Sequence, residues 1–152
     1  MPARSRRLGW GFTLIEMLTT VALISIMASI AVPNYDKAVQ RGRWRSAHDI
    51  LLTMYVGEKV YAINNNGQYK ILPRDASASD WAEIFMDNPN ASFPSSPPFY
   101  VDVGAFNPPT FTAGAGFLAC GSTPSGLMTI DQDGVIACDA IVQALNFDFC
   151  PP

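Results

Sequence analysis

The sequence predicts an α+β protein in which one long N-terminal helix packs on a small antiparallel β-sheet. An almost unbroken apolar run at residues 12–32 predicts that the first half of this helix spans a membrane. Apolar residues then recur at helical spacing, and the last third of the chain alternates in the manner of β-strands. At 152 residues, we expect one domain outside the membrane.

The apolar run sets the topology. Its 21 residues match the length that a helix needs to cross a bilayer and exceed the apolar region of a signal peptide. Three arginines precede it, at positions 4, 6 and 7, so the positive-inside rule keeps the N-terminus in the cytoplasm. The remainder of the chain then lies outside, where disulfides form. Four more basic residues follow the run: Lys37, Arg41, Arg43 and Arg45.

Glu16 is the one charged residue within the run. A carboxylate inside a spanning helix costs about 2.5–3.5 kcal/mol on insertion scales, and such residues are usually paired and functional. Two interpretations stay open. Glu16 either lies close enough to the helix end to reach the headgroups, or it meets a cation. The run contains no Lys or Arg, so a free α-amino group, made by a cut just before the run, would serve as that cation.

The start of the run carries a family resemblance. The hexapeptide GFTLIE at residues 11–16 resembles the class III signal of type IV pilins and related pseudopilins, and it follows a short basic leader. The resemblance implies cleavage between Gly11 and Phe12 by a prepilin peptidase of the inner membrane, followed by N-methylation of Phe12. It also implies that Glu16 of one subunit meets the N-terminal amine of its neighbour during filament assembly.

The same resemblance divides the chain into three segments. They are a leader peptide at residues 1–11, a transmembrane and assembly helix at 12–35, and a periplasmic globular domain at 36–152. Pro33 also resembles the family and counts among the assembly residues. Because a proline ring clashes with the carbonyl four residues back, we expect Pro33 to break the helix.

An amphipathic helical pattern resumes after the proline. Its apolar face comprises Ala47, Leu51, Met54, Tyr55, Tyr61 and Ala62. We expect the helix to end at the NNNG stretch of residues 64–67, since Asn and Gly readily adopt left-handed caps. Tyr55, Tyr61 and Tyr69 are interpreted as packing residues. The single histidine, His48, is interpreted as a solvated side chain.

Residues 64–98 form a long connection that is rich in proline and poor in periodicity. Residues 80–86 predict one short helix within it. In pilins the corresponding loop varies and decorates the filament surface. The triplet at residues 90–92 matches a glycosylation acceptor, a pattern that is common by chance.

Strand patterns follow this connection. The segment FYVDV places Phe99, Val101 and Val103 on one face, and TFT and GFLAC come after it. The clearest hairpin joins LMTI to VIAC through the turn DQDG at residues 131–134. Three or four antiparallel strands are therefore predicted. Asp131, Asp133 and Asp139 do not have the spacing of a calcium-binding loop, so no metal site is predicted.

The three cysteines lie at positions 120, 138 and 150, and none has the spacing of a zinc site. In type IV pilins a disulfide often ties the late hairpin to a cysteine near the C-terminus. The resemblance therefore implies a bond between Cys138 and Cys150, which leaves Cys120 free. A bond between Cys120 and Cys138 is the rival, because GFLAC could lie beside the hairpin.

No catalytic motif or phosphate-binding loop occurs in the sequence, so neither an enzyme nor a cofactor is predicted. A membrane-anchored enzyme would need a catalytic pocket that the sequence does not indicate. Residues 36–152 hold seven Lys and Arg against twelve Asp and Glu, and this acidic balance argues against nucleic acid as a partner.

The leading hypothesis is a structural subunit of a type IV pilus that supports adhesion, twitching motility or DNA uptake. The alternatives are a pseudopilin of a type II secretion system and a minor pilin that takes up DNA at a filament tip. The implied partners are other copies of the chain, other pilins and the prepilin peptidase and methyltransferase. The implied location is the inner membrane before assembly and the cell-surface filament afterwards.

Overall fold

The computed structural model describes residues 12–93, 98–104, 108–117 and 126–150. The leader, Gly11 and Cys120 lie outside these ranges. Two compact units divide the chain, one ending at Val39 and the other beginning at Gln40. Helix α1, Leu14–Asn64, contributes residues to both.

In the first unit, every described side chain is exposed. Among the described helices, α1 is the one that is long and apolar enough to cross a membrane. The helix hydroxyl groups bond to carbonyls of their own helix, for example Ser25 Oγ to Val21 O at 2.8 Å and Ser29 Oγ to Ile26 O at 2.7 Å. Polar groups that are satisfied inside the helix are what a hydrocarbon environment requires.

The expected helix break at Pro33 is wrong, because Pro33 lies inside α1. Proline lacks the N–H that would bond the carbonyl of Ser29, but the loss of one bond does not end a helix whose neighbouring turns remain intact. The Asn34 side-chain amide also donates to the carbonyl of Ile30 at 3.1 Å.

In the second unit, α1 presents one buried face to the core. The buried helix residues are Trp44, Ala47, Leu51, Met54, Gly57, Glu58 and Ala62. Their spacing of mostly three and four residues confirms the predicted amphipathic helix. The helix ends at Asn64, and Asn66 and Gly67 follow with φ of 55° and 80°. The predicted left-handed cap in NNNG is therefore confirmed.

The connection after α1 holds one short helix, α2, Ala78–Glu83. A capping box begins it: Ser77 accepts a bond from the Asp80 N–H, and the Asp80 side chain accepts one from the Ser77 N–H. The predicted helix at residues 80–86 thus exists, but it begins two residues earlier and ends before Phe85, whose φ is 62°. A 3-10 helix follows at Pro89–Ser92.

Within the described ranges, four antiparallel strands form one sheet in the order β1-β2-β3-β4. They are β1 (Phe99–Gly104), β2 (Thr110–Phe117), β3 (Gly126–Asp131) and β4 (Ile136–Cys138), and helix α3 (Ala140–Gln143) follows. Val101 pairs with Ala113, and Ala113 pairs with Ile130. All three are buried, so one sheet face packs on the core with α1. The predicted α+β fold and its late hairpin are confirmed.

We predict that a chain beginning at Asp36 is a soluble, folded monomer. Every buried apolar residue of the described chain lies at Trp44 or later, so the cut removes none of the core. Gel filtration and far-ultraviolet circular dichroism of residues 36–152 would check this. Filaments formed by the shortened chain alone would contradict the expectation that residues 12–35 carry most of the assembly contacts.

Candidate functional site

The N-terminal turn of α1 holds Glu16, one of the two predicted assembly residues, whereas Pro33 lies further along the helix. The Glu16 carboxylate accepts bonds from the Thr13 N–H at 3.2 Å and the Thr13 hydroxyl at 3.0 Å. The Glu16 N–H donates to Thr13 Oγ1 at 3.3 Å. This reciprocal pair is a capping box, in which each side chain satisfies an N–H that the helix leaves free. Glu16 therefore has a local structural role that the sequence analysis missed.

No cation lies within ion-pair distance of Glu16 among the described residues. The carboxylate is exposed, and Phe12 beside it is 69% exposed. Phe12 therefore lies just before α1 and Glu16 in its first turn, at the end of a surface of exposed apolar side chains. An apolar surface of this extent indicates contact with a membrane or with protein.

The second predicted constellation is the cysteine pair. The structure joins Cys138 and Cys150 in a disulfide, with the Cα atoms 5.7 Å apart, and this is the pair that the resemblance implied. Cys138 ends β4, and Cys150 follows the aromatic residues Phe147 and Phe149. The bond therefore ties the C-terminal segment to the edge strand of the sheet.

We predict that replacing Cys138 and Cys150 together by serine lowers the free energy of unfolding by about 2–4 kcal/mol. The bond closes a short loop, with 12 residues of sequence separation, and limits the unfolded chain. Urea unfolding of the oxidised and doubly substituted proteins measures the difference. An equal loss on replacing Cys120 alone would contradict this pairing, because it would place Cys120 in the bond instead of one of the two.

The His48 interpretation is corrected. Its ring stacks on Phe149 with centroids 4.1 Å apart, and the side chain is only 18% exposed. His48 Nδ1 also lies 3.3 Å from a carboxylate oxygen of Asp49. His48 is covered because the C-terminal segment, which the disulfide ties to β4, lies against α1. The residue spacing of α1 does not predict this contact.

The tyrosines pack as predicted. Tyr55 and Tyr69 both contact the ring of Phe111, with centroids 6.1 and 4.6 Å away, and Lys59 lies over both tyrosine rings. These contacts join α1 and the following loop to strand β2.

The aspartates of the hairpin region form backbone contacts. Asp131 Oδ1 accepts bonds from the N–H groups of Asp133 and Val135, and Asp139 caps helix α3. Among the described residues there is no group of three His, Cys, Asp or Glu side chains suited to a metal ion.

Glu58 is a buried charged residue that the sequence analysis missed. It is fully buried on α1, and its Oε2 accepts a bond from the Lys70 N–H at 2.9 Å. Its Oε1 has no hydrogen-bond partner among the described residues. Burial raises the pKa of Glu58 to about 7, although the Lys70 N–H and the Lys70 charge act in the opposite direction. The carboxyl is therefore poised to change its charge near neutral pH.

Asn90 is a second buried polar residue that sequence reasoning did not identify. Its amide donates to the carbonyls of Arg74 and Phe99, and its Oδ1 accepts from the Phe99 N–H at 2.9 Å. The side chain is 4% exposed, so it fastens the long connection to the start of β1. These internal bonds occupy the amide of the glycosylation triplet.

Two curated proteins are similar to parts of the chain. One is the type IV major pilin protein PilA of Myxococcus xanthus, with 41% identity over 51 residues, 34% of this chain and 23% of that protein. The other is the type IV wide pilus major component PilA4 of Thermus thermophilus, with 39% identity over 61 residues, 37% of this chain and 43% of that protein.

The matched region therefore spans less than half the length of each relative. No protein-family model and no solved structure matches the chain. Both relatives are type IV pilus proteins, and this likeness supports the type IV pilin family for a chain with a long apolar N-terminal helix and a small antiparallel sheet.

Proposed function

We propose that this chain, which is similar to type IV major pilins over about a third of its length, is a structural subunit of a type IV pilus. One observation carries the proposal. The apolar run at residues 12–32 is exposed and bears one carboxylate, Glu16, which lies in the first turn of α1, four residues after Phe12. A carboxylate in a spanning helix is costly and is usually paired with a cation, and the N-terminal amine of a neighbouring subunit would supply that cation.

The finer steps follow from the same proposal. The prepilin is inserted in the inner membrane with residues 36–152 in the periplasm, and a prepilin peptidase and methyltransferase act at Gly11 and Phe12. The mature chain then joins copies of itself and other pilins in a helical filament at the cell surface. The role is structural rather than enzymatic. Adhesion, twitching motility and DNA uptake are the activities that such a filament would serve.

The protein content of sheared surface filaments distinguishes a pilus subunit from a secretion pseudopilin. We expect this chain to be present in filaments that shearing releases from the cells that carry it, as mass spectrometry of the filaments would detect. A chain that stays in the membrane fraction and never appears in sheared material would contradict a surface pilus and favour the short pseudopilus.

We predict that the mature chain begins at N-methylated Phe12. A helix of apolar residues preceded by three arginines presents the Gly11–Phe12 junction at the membrane surface, where a membrane-bound peptidase can reach it. Intact-mass measurement of the purified protein decides this. A matched Gly11→Val variant is expected to keep residues 1–11. A wild-type protein that begins at Met1 would rule out the processing step.

A further inference from the structure

A cavity of about 340 Å³ opens on the globular unit between α1 and the sheet, and we call it the Arg43 cavity. Its lining residues are Gly42, Arg43, Ser46, Ala47, Ile50, Phe93, Phe99 and Phe117. The Phe117 ring stands edge to face with Phe93 and with Phe99, at centroid distances of 5.9 and 6.2 Å. The Arg43 guanidinium lies over Phe117 at 4.9 Å. The cavity is therefore aromatic inside and carries a cation at its edge.

The aromatic side chain of Phe85 does not pack in the core of its own chain. It is 67% exposed and has a φ of 62°, a left-handed conformation that is strained for a bulky residue. Its N–H donates to Ala82 O, and the next N–H, of Met86, donates to Trp81 O, as in a helix C-cap where glycine is the usual residue. The strain is not offset by burial within the chain.

The residues around Phe85 hold it in place. Ile84, the preceding residue, is buried against Gly57 of α1, where the Ile84 carbonyl and Cβ leave no room for a Gly57 side chain. Lys70 ties α2 to the connection, with its Nζ 2.8 Å from a carboxylate oxygen of Glu83. A large aromatic side chain on a fixed backbone loses little freedom on binding, which is typical of an interface anchor.

We propose that Phe85 of one copy of this chain inserts into the Arg43 cavity of a second copy. The two surfaces are complementary in chemistry. The aromatic lining suits a phenyl ring in edge-to-face contact. Asp87, two residues after Phe85, is exposed, and its carboxylate suits the cationic edge that Arg43 provides.

The contact joins different surfaces of the two copies. Ile84, the residue before Phe85, contacts Gly57 of α1. Gly57 lies eleven residues after Ser46, which lines the cavity, and this separation is roughly 16 Å along the helix axis. Phe85 therefore does not fill the cavity of its own chain. Because Phe85 and the Arg43 cavity are different surfaces, their contact is heterologous, and a heterologous contact whose rotation does not close into a ring repeats as an open helical filament. The inference rests on the proposed function, which supplies neighbouring copies.

Cysteine cross-linking of the full chain tests the contact in filaments. All variants for this test also carry Cys120→Ser, which removes the cysteine that the Cys138–Cys150 bond leaves unpaired. A chain with Ser46→Cys and Asp87→Cys keeps the Phe85 ring and is expected to form a ladder of disulfide-linked multimers under mild oxidation. The single variants are expected to form none. A matched pair, Ser46→Cys with Ile63→Cys, places the second thiol on an exposed residue of α1 and should give no ladder. Dimers from either single variant would show a contact between like surfaces and overturn the proposal.

Phe85→Gly provides a second, independent test. Glycine relieves the left-handed strain, so the variant protein should melt at the same or a higher temperature than the parent. Its incorporation into filaments should nevertheless fall at least about tenfold. Arg43→Glu should reduce incorporation similarly, and Asp87→Lys in the same chain should restore part of it.

The outcomes separate the two proposals. If the parent chain is present in filaments, while the double-cysteine chain gives no ladder and Phe85→Gly assembles normally, this inference fails and the pilus role stands. If the parent chain is absent from filaments, the proposed function itself fails. Cavity occupancy by a lipid or another protein would appear as Phe85-independent assembly, which also overturns the inference.

Discussion

The stability of the globular unit is expected to fall as the pH rises from about 4.5 to 7, and Glu58→Gln is expected to abolish most of this fall. Glu58 is fully buried, and burial raises its pKa from 4.5 to about 7. In the unfolded chain the same carboxyl ionises near its ordinary value. The two states therefore bind different numbers of protons across this interval.

The direction of the change in stability follows from which state, folded or unfolded, keeps the proton on Glu58. Below pH 4.5 Glu58 is protonated in both states, and the stability is at its full value. Between pH 4.5 and 7 the unfolded chain loses the proton while the folded chain retains it, so each unit of pH removes about 1.4 kcal/mol. Above pH 7 Glu58 is ionised in both states, and the loss stays at about 3 kcal/mol.

Glutamine preserves the shape of Glu58 and an acceptor for the Lys70 N–H, but it has no charge to bury. The measurement is urea unfolding of residues 36–152 at several pH values between 4 and 8, for the wild-type and variant proteins. Their difference cancels all other titrating groups. A parallel pH profile for the wild-type and Glu58→Gln proteins would contradict the prediction.

The elements that the sequence predicted well are those whose signal is local. The helix of residues 47–62 and its NNNG end follow from spacing and from the left-handed preference of Asn and Gly. The hairpin follows from two apolar runs around a DQDG turn, in which Asp131 Oδ1 bonds two backbone N–H groups. Each of these patterns is complete within a few residues.

The features that the sequence did not predict depend on contacts between distant segments. Glu58 has the helical position of a core residue, yet only the structure shows that the loop at Lys70 covers it. Asn90 accepts a hydrogen bond from the Phe99 N–H only because β1 lies beside it in the fold. The stacking of His48 on Phe149 likewise requires the C-terminal segment to return to α1. The residue spacing within a single helix or strand does not predict contacts of this kind.

Pro33 and Glu16 show a different limit of prediction from sequence. Each residue has two physical effects, and the sequence does not show which one dominates. For Pro33 the clash of its ring with the carbonyl four residues back predicts a helix break, whereas α1 continues through Pro33. For Glu16 the sequence indicates the cost of a charge in hydrocarbon. The structure adds that the same carboxylate caps the helix through Thr13. An experiment on Glu16 must therefore separate the cap from the charge.

Glu16→Leu and Glu16→Gln are both expected to leave membrane insertion and processing intact and to block incorporation into filaments. Loss of a charge favours the membrane, and the processing junction lies several residues before Glu16. In the filament, however, the methylated amine of a neighbouring Phe12 would enter an apolar core without a counterion. Removal of one partner of a buried ion pair costs about 3–5 kcal/mol, which is about a hundredfold to several-thousandfold in an equilibrium constant.

The two substitutions differ in what they keep. Leucine removes both the charge and the cap, whereas glutamine retains the capping hydrogen bonds and removes only the charge. Thr13→Val is the matched control for the cap, because it deletes the Thr13 hydroxyl and leaves the Glu16 charge in place. If the charge is the assembly contact, both Glu16 variants fail and Thr13→Val assembles. If the cap is what matters, Glu16→Gln assembles and Thr13→Val does not.

The measurement compares processed protein in the membrane with protein in sheared filaments for each variant. Equal amounts of processed protein in the membrane fraction establish that insertion and cleavage are unaffected. The amount in filaments then reports the contact alone, counted per copy of this chain so that other pilins do not mask its loss. Filaments containing the Glu16→Gln chain at the wild-type level would rule out the ion pair. The carboxylate of Glu16 would then serve the start of α1 through its bonds to Thr13, and the surface of the apolar helix would carry assembly by itself.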